Sequence, residues 1–334
     1  MPLNPLLREL MERARTLGPI SSLTVEQIRH GASELTHALR HHGVLRYEVG
    51  GTQDIRIPVS STEMPARIYS PKAAGHKCPI IVFFHGGGWV QGDLESYDDM
   101  CRALSSGANA IVVAVHYRRA PEHRFPTAVD DCLAAAMWAH LRAAELGGDD
   151  RYLFVAGDGA GGGLAAVVAQ DCVLADAGVS LAGQILLCPL LDHPSAGYPS
   201  YANLGPDYNV ARDVECLHWF ASQYLGSTES SSDRRFAPLR AESMIGLSPA
   251  LIITAQHDPL RDEAEAYAHK LRLHDVDVID KRYEGVNHSF FLLQGLLPAA
   301  DQALNLISQW VASRCLASWV RSTGLGPLRK RVSP

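Results

Sequence analysis

A series of short, unbroken apolar runs, each closed by turn residues, constrains this chain more than any other feature. Ile80–Phe84 runs into His85-Gly-Gly-Gly, Ala110–Val115 into His116-Tyr-Arg-Arg, and Leu153–Ala156 into Gly157-Asp. Gln184–Cys188 and Ala250–Thr254 continue the series. Apolar runs of strand length without polar alternation are buried on both faces, and strands that alternate with helical stretches pair in parallel. The expected fold class is therefore α/β, with a mostly parallel central sheet and helices on both faces. Helices are expected over 127–146 and 162–177, and Ile55-Arg-Ile-Pro and Ala66-Arg-Ile-Tyr read as two further strands joined by a short turn. A chain of 334 residues is long enough to bury such a core without a disulfide or metal staple.

The two remaining regions read differently. Leu3, Leu6, Leu7, Leu10, Met11 and Ala14 recur at helical spacing, and a second helix is expected after Thr24, with Gln27 completing a capping box. These amphipathic helices could lie on a membrane, but packing on the main domain as a lid is the simpler expectation. Residues 195–245 break the strand–helix rhythm with the turns Pro194-Ser-Ala-Gly and Ser230-Ser-Ser-Asp and a helical stretch at Glu215–Tyr224. An insertion there stands beside the carboxyl ends of the strands, where ligands bind in open α/β sheets. The expected organisation is cap helices over 1–50, core over 51–194, a cap insertion over 195–245, core again over 246–322 and a basic tail over 323–334.

Charge excludes one class of partner. Lys and Arg number 30 against 36 Asp and Glu, a net charge of -6, so no basic excess exists to neutralise nucleic-acid phosphates. The 7 cysteines form no CxxC pair, which reads as free thiols in a reducing compartment and not as a disulfide framework or zinc site. No apolar run is long enough to span a bilayer and the N-terminus lacks a secretory signature, so a cytoplasmic protein with no membrane span is expected.

The glycine turn Gly157-Asp-Gly-Ala-Gly-Gly162 follows a strand and opens a helix. It matches the dinucleotide fingerprint G-x-G-x-x-G, but it lies mid-chain and no acidic residue is clearly placed at the end of the next strand. It also matches the nucleophile elbow G-x-S-x-G with glycine in place of serine. Three other segments decide between the two. His85-Gly-Gly-Gly88-Trp89 offers backbone N–H groups for an oxyanion hole. Gln256-His-Asp258-Pro-Leu-Arg-Asp262 places a carboxylate at a strand end, and Val286-Asn-His288-Ser-Phe supplies an imidazole ahead of a helix. Pro259 directly after Asp258 favours Asp258 over Asp262 as the acid. Oxyanion glycines, elbow, Asp and His follow one another in the order of α/β-hydrolases.

On these residues the chain resembles the hormone-sensitive-lipase-like branch of the α/β-hydrolases, the bacterial capped carboxylesterases. HGGGW at 85–89, GD at 92–93, YRRAPEHRFP at 117–126, PLLD at 189–192, DPLRDE at 258–263 and NHSF at 287–290 carry the resemblance with the elbow, over nearly the whole length. It implies an ester hydrolase for short-to-medium acyl groups, with no cofactor and a small-molecule ester as its partner. Asp258 would orient His288 as general base. Gly87, Gly88 and Ala160 would donate to the oxyanion, with Gly86 as an alternative donor. Position 159 would hold the nucleophile, where this chain has Gly159.

Without a side chain at 159 no acyl-enzyme forms there. Three readings stay open: a substitution that inactivates a working esterase; a natural glycine in a lyase, cyclase or water-activating enzyme that uses Asp258–His288; or a non-catalytic ligand-binding protein. His37 and His41 stand at i, i+4 on a predicted helix beside His42, but with no Glu or third ligand they read as a solvated lid face, not a metal site. Tyr117, Arg118, Glu122 and His123 are expected to buttress the oxyanion loop, and Asp130 and Asp131 to cap or solvate the next helix. Trp89 and Tyr208 are candidate pocket walls. Edge strands leave pairing into a homodimer open.

Overall fold

Alternation within the apolar runs builds two cores, one on each side of a single sheet. The computed structural model describes the chain apart from residues 16–17, 61, 74–76, 175–177, 205–209, 227–229 and 324–334; Tyr208 and the tail from Gly324 lie outside the described residues. The strands are β1 (Gly51–Val59), β2 (Thr62–Ser70), β3 (Cys78–Phe84), β4 (Ile111–Val115), β5 (Gly148–Asp158), β6 (Gly183–Leu187), β7 (Ala250–His257) and β8 (Val278–Asn287). They form one 8-stranded sheet in the order β1-β2-β4-β3-β5-β6-β7-β8. β1 and β2 form the expected hairpin, β2 pairs antiparallel with β4, and every later pairing is parallel. Every residue of β4 and β6 is buried, which is why those runs show no polar alternation.

Ile80, Val82 and Phe84 of β3 face one core and Ile81 and Phe83 the other, as a period of two requires. The helices are α1 (Pro5–Arg15), α2 (Val25–His41), α3 (Asp98–Ala108), α4 (Thr127–Leu141), α5 (Ala143–Leu146), α6 (Ala160–Leu174), α7 (Val210–Leu225), α8 (Arg261–Leu273) and α9 (Pro298–Thr323). α4 and α6 pack in the first core, α3 and α9 in the second. α6 is buried on almost all sides, hence its uniformly small and apolar sequence.

Several local expectations shift. The stretch 127–146 is two helices, because Arg142 leaves helical dihedrals (φ -102, ψ 9) and pairs its side chain with Glu145 in the next turn. α6 begins at Ala160, two residues before the expected start, since the turn that opens it is already complete at Gly159. Neither Asp130 nor Asp131 caps α4, and only Asp130 meets solvent there, as expected. Asp131 is buried and takes an ion pair from Arg118 at 2.6 Å, while Asp130 pairs with Arg235.

The N-terminal helices rest on the main domain. Leu3 and Leu7 are buried in the second core, and the Asn4 amide donates to Gly285 O at 2.8 Å. The capping box at Thr24 and Gln27 is present at the start of α2. Arg29 of α2 then donates to Val90 O at 2.8 Å and Ala120 O at 3.0 Å, tying the lid to the glycine loop. Among the described residues no helix is long and apolar enough to cross a membrane.

Candidate active site

The site grows from the tight turn between β5 and α6. Cβ atoms added at Gly157 and Gly161 would lie 2.2 Å from Gly161 O and 2.1 Å from Phe84 O, so close strand–helix packing alone demands those two glycines. Gly159 stands at the apex with φ +53. Its amide donates to Leu187 O at 2.9 Å, and its carbonyl accepts from Gly163 N at 3.0 Å and Leu190 N at 2.9 Å. The turn is held from both sides, which fixes the direction in which a side chain at 159 would project. A Cβ built there lies 3.1 Å from His288 Nε2.

His288 follows β8 and Asp258 follows β7, so parallel pairing of the two strands brings them together. His288 Nδ1 lies 2.9 Å from Asp258 Oδ2, and Asp258 Oδ1 accepts the Leu260 amide at 2.9 Å. With Nδ1–H donating to the carboxylate, Nε2 faces position 159 and carries the free lone pair whenever the ring is neutral. Asp262, the rival acid, turns elsewhere: it accepts from Ser200 N at 2.8 Å and Arg261 Nε at 2.7 Å. Asp158 also points away from position 159, accepting from Tyr97 Oη at 2.5 Å and Ser289 Oγ at 2.8 Å, and burial raises its pKa. Buried Glu263 binds the loop after β6 by accepting the Leu191 amide at 2.6 Å, and burial pushes its carboxyl up to about 8.

Burial opposes charge on His288, but Asp258 first, then Asp158 and Asp213, outweigh it and push the imidazole up to about 9. A free imidazole titrates near ~6.5. Because the folded value is the higher one, the pair stabilises the fold fully below about pH 6.5 and loses that contribution as pH rises through about 9. Melting temperature relative to a His288→Gln variant is expected to fall across that window. An NMR titration of the His288 ring with a midpoint near the free value would contradict this account.

The glycine loop provides the facing wall. Gly87 and Gly88 have φ +108 and +59, and among the described residues the amides of Gly87, Gly88 and Ala160 have no acceptor, while the Gly86 backbone bonds to the Tyr97 hydroxyl. Gly86, Gly87, Gly88 and Ala160 line a cavity of about 350 Å³ together with Gly159, Asp258 and His288. Tyr117 Oη donates to His85 O at 2.9 Å and Arg119 Nη1 to Gly92 O at 2.7 Å, so the segment after β4 braces this loop.

Trp89 is not a pocket wall. It is 2 % exposed and stacks on Tyr224 at 4.5 Å, in the first core. Its own φ of +63 after Gly88 turns the indole away from the cavity. Trp89→Ala is therefore expected to destabilise the fold by about 3–5 kcal/mol in urea unfolding, as a core truncation does. Phe220 stands over the glycines instead, since a Cβ on Gly88 would come within 2.3 Å of its ring. Two helices add walls to the cavity: Ala32, Leu35, Thr36 and Leu39 of α2 and Asp213, Cys216, Leu217 and Phe220 of α7. Sequence reasoning missed these residues, although their i, i+3/i+4, i+7 spacing marks one face on each helix. His37, His41 and His42 are exposed and line no part of the cavity.

A model of the alpha/beta hydrolase fold matches residues 81–292. The chain is similar to the carboxylic ester hydrolase LipN of Mycobacterium tuberculosis, 38% identical over 304 residues that cover 87% of this chain and 77% of that protein. It is similar to an arylesterase of Saccharolobus solfataricus, 34% identical over 302 residues covering 87% and 92%. Among solved structures, the hyperthermophilic esterase from Pyrobaculum calidifontis superposes with a TM-score of 0.87 at 34% identity, over 95% of this chain and 100% of that one. A parallel sheet carrying a glycine elbow, a glycine loop and an Asp–His pair at its strand ends, matched in sequence and fold over nearly its whole length, belongs to the alpha/beta hydrolase family, in its hormone-sensitive-lipase-like branch.

Proposed function

We propose that this chain is a carboxylic ester hydrolase scaffold whose nucleophile position is occupied by Gly159, with negligible turnover by the acyl-enzyme route. The observation that carries the reading is directional: the Cβ vector of Gly159 points at His288 Nε2, 3.1 Å away, while Nδ1 of the same ring is held by Asp258. A hydroxyl on that Cβ would meet, in the neutral form of the ring, a base already oriented to receive its proton. Asp258 fixes the tautomer and supports the imidazolium, and the amides of Gly87, Gly88 and Ala160 donate to the tetrahedral oxyanion. Gly86, whose backbone already bonds to Tyr97, is the alternative donor. Relatives that are carboxylic ester hydrolases by name support the substrate class. A cavity of about 350 Å³ suits a small ester with a short-to-medium acyl group, under a cap built from α2 and α7. The reaction uses no cofactor.

The intact Asp258–His288 pair supports a second reading. His288 Nε2 faces the cavity, so in its neutral form it can take a proton from water or from a substrate carbon beside the unpaired amides, without a covalent intermediate. The two readings part on the chain as it stands. Hydrolysis of p-nitrophenyl acetate, butyrate and octanoate is expected to stay within about 10³–10⁴-fold of the uncatalysed rate, the level that binding and an oxyanion hole leave without a nucleophile. Turnover well above that level, abolished by His288→Ala, would establish the water-activating enzyme.

A further inference from the structure

Beneath the imidazole lies a group that the hydrolase chemistry does not use. Cys188 directly follows β6 with φ +41, and its side chain is buried beside Asp258. One ligand atom each from Cys188, Asp258 and His288 lie within 4.8 Å of one another. Three adjacent parallel strands, β6, β7 and β8, deliver these residues from their carboxyl ends, so sheet register sets their proximity. Burial, with Asp258 and Asp158 beside it, holds the thiol well above its ordinary range, so it is neutral and a poor nucleophile at neutral pH.

We propose that Cys188, Asp258 and His288 form a binding site for a divalent transition ion of the zinc type, and that occupancy disables His288 as a base. Thiolate, carboxylate and imidazole are together the donor set that suits Zn²⁺, and around a tetrahedral ion such donors stand roughly 3.3–3.8 Å apart. The half-exposed imidazole can supply the contraction needed. Asp258, with Asp158 and Asp213 facing the same ring, makes the surroundings favourable to a cation. On binding, the Cys188 thiol and His288 Nδ1 each release a proton to solvent, and the thiolate and the freed Nδ1 lone pair bind the metal. The ring then keeps its remaining proton on Nε2, where it can donate but not accept. The ion and the general base thus compete for one imidazole.

Binding is read on the chain as it stands, freed of metal and titrated with Co²⁺. A cobalt–thiolate charge-transfer band in the near ultraviolet is expected, displaced by Zn²⁺. Cys188→Ser should weaken binding by at least ~100-fold, because loss of an outer-shell partner alone costs 10–100-fold. His288→Ala, at a half-exposed position, gives the same test should Cys188→Ser fail to fold. The inhibition rests on the esterase reading and is measured in the Gly159→Ser background, each protein normalised to its own rate without metal. Zn²⁺ should inhibit that protein and lose its effect when Cys188→Ser is added. No band from the full chain, a band that survives Cys188→Ser, or inhibition that ignores it overturns the site. A Cys188-dependent band from a Gly159→Ser protein without esterase activity overturns the esterase reading and leaves the metal site standing.

Discussion

Gly159→Ser is expected to raise hydrolysis of p-nitrophenyl butyrate by at least about a thousandfold, and by up to on the order of a million-fold, the span that separates triads with and without their nucleophile. The scale follows from how little else the site lacks. The 159 Cβ vector already faces Nε2, the ring is held through Asp258, and the amides opposite are unpaired. The new Cβ would stand 3.1 Å from the ring, tighter than ordinary van der Waals contact. Its neighbour is the open side of a half-exposed imidazole, which can yield by a few tenths of an ångström. The left-handed backbone at φ +53 adds a separate cost for any L side chain, about 1–2 kcal/mol. The variant should therefore gain turnover and lose stability together. A gain in stability would mean that the turn is not strained as described.

In that variant, Asp258→Asn is expected to lower kcat by roughly 10⁴-fold with little change in KM. Asparagine can present its amide N–H to Nδ1, which would reverse the tautomer and leave Nε2 protonated toward the nucleophile. Asp262→Asn should leave the rate within an order of magnitude, since its carboxylate serves Ser200 and Arg261. Equal losses from the two substitutions would remove Asp258 from its proposed role.

What could be read before the structure was the local and covalent part of the design. Buried parallel strands announce themselves by unbroken apolar runs, and the glycines at 157 and 161 announce a strand and a helix in near contact. Direction was harder. Trp89 adjoins the glycine loop in sequence, yet positive φ at three successive residues, Gly87, Gly88 and Trp89 itself, carries its ring into the core on Tyr224. Phe220, more than a hundred residues later, takes the place beside Gly88, and only the docking of α7 decides that. Asp131 shows the same limit, because its buried bond to Arg118 depends on how α4 lies against the segment after β4. The proximity of Cys188 to Asp258 and His288 depends on the register of three strands, and no short-range spacing encodes it.

The most direct test of the central claim is intact-protein mass after exposure to diethyl p-nitrophenyl phosphate, which phosphorylates an activated hydroxyl. One diethylphosphoryl group per molecule is predicted on the Gly159→Ser protein, mapped to the peptide that contains position 159 and lost when His288→Ala is added. None is predicted on the chain as it stands. A folded Gly159→Ser protein that takes no label, or a label that maps away from position 159, would contradict the account.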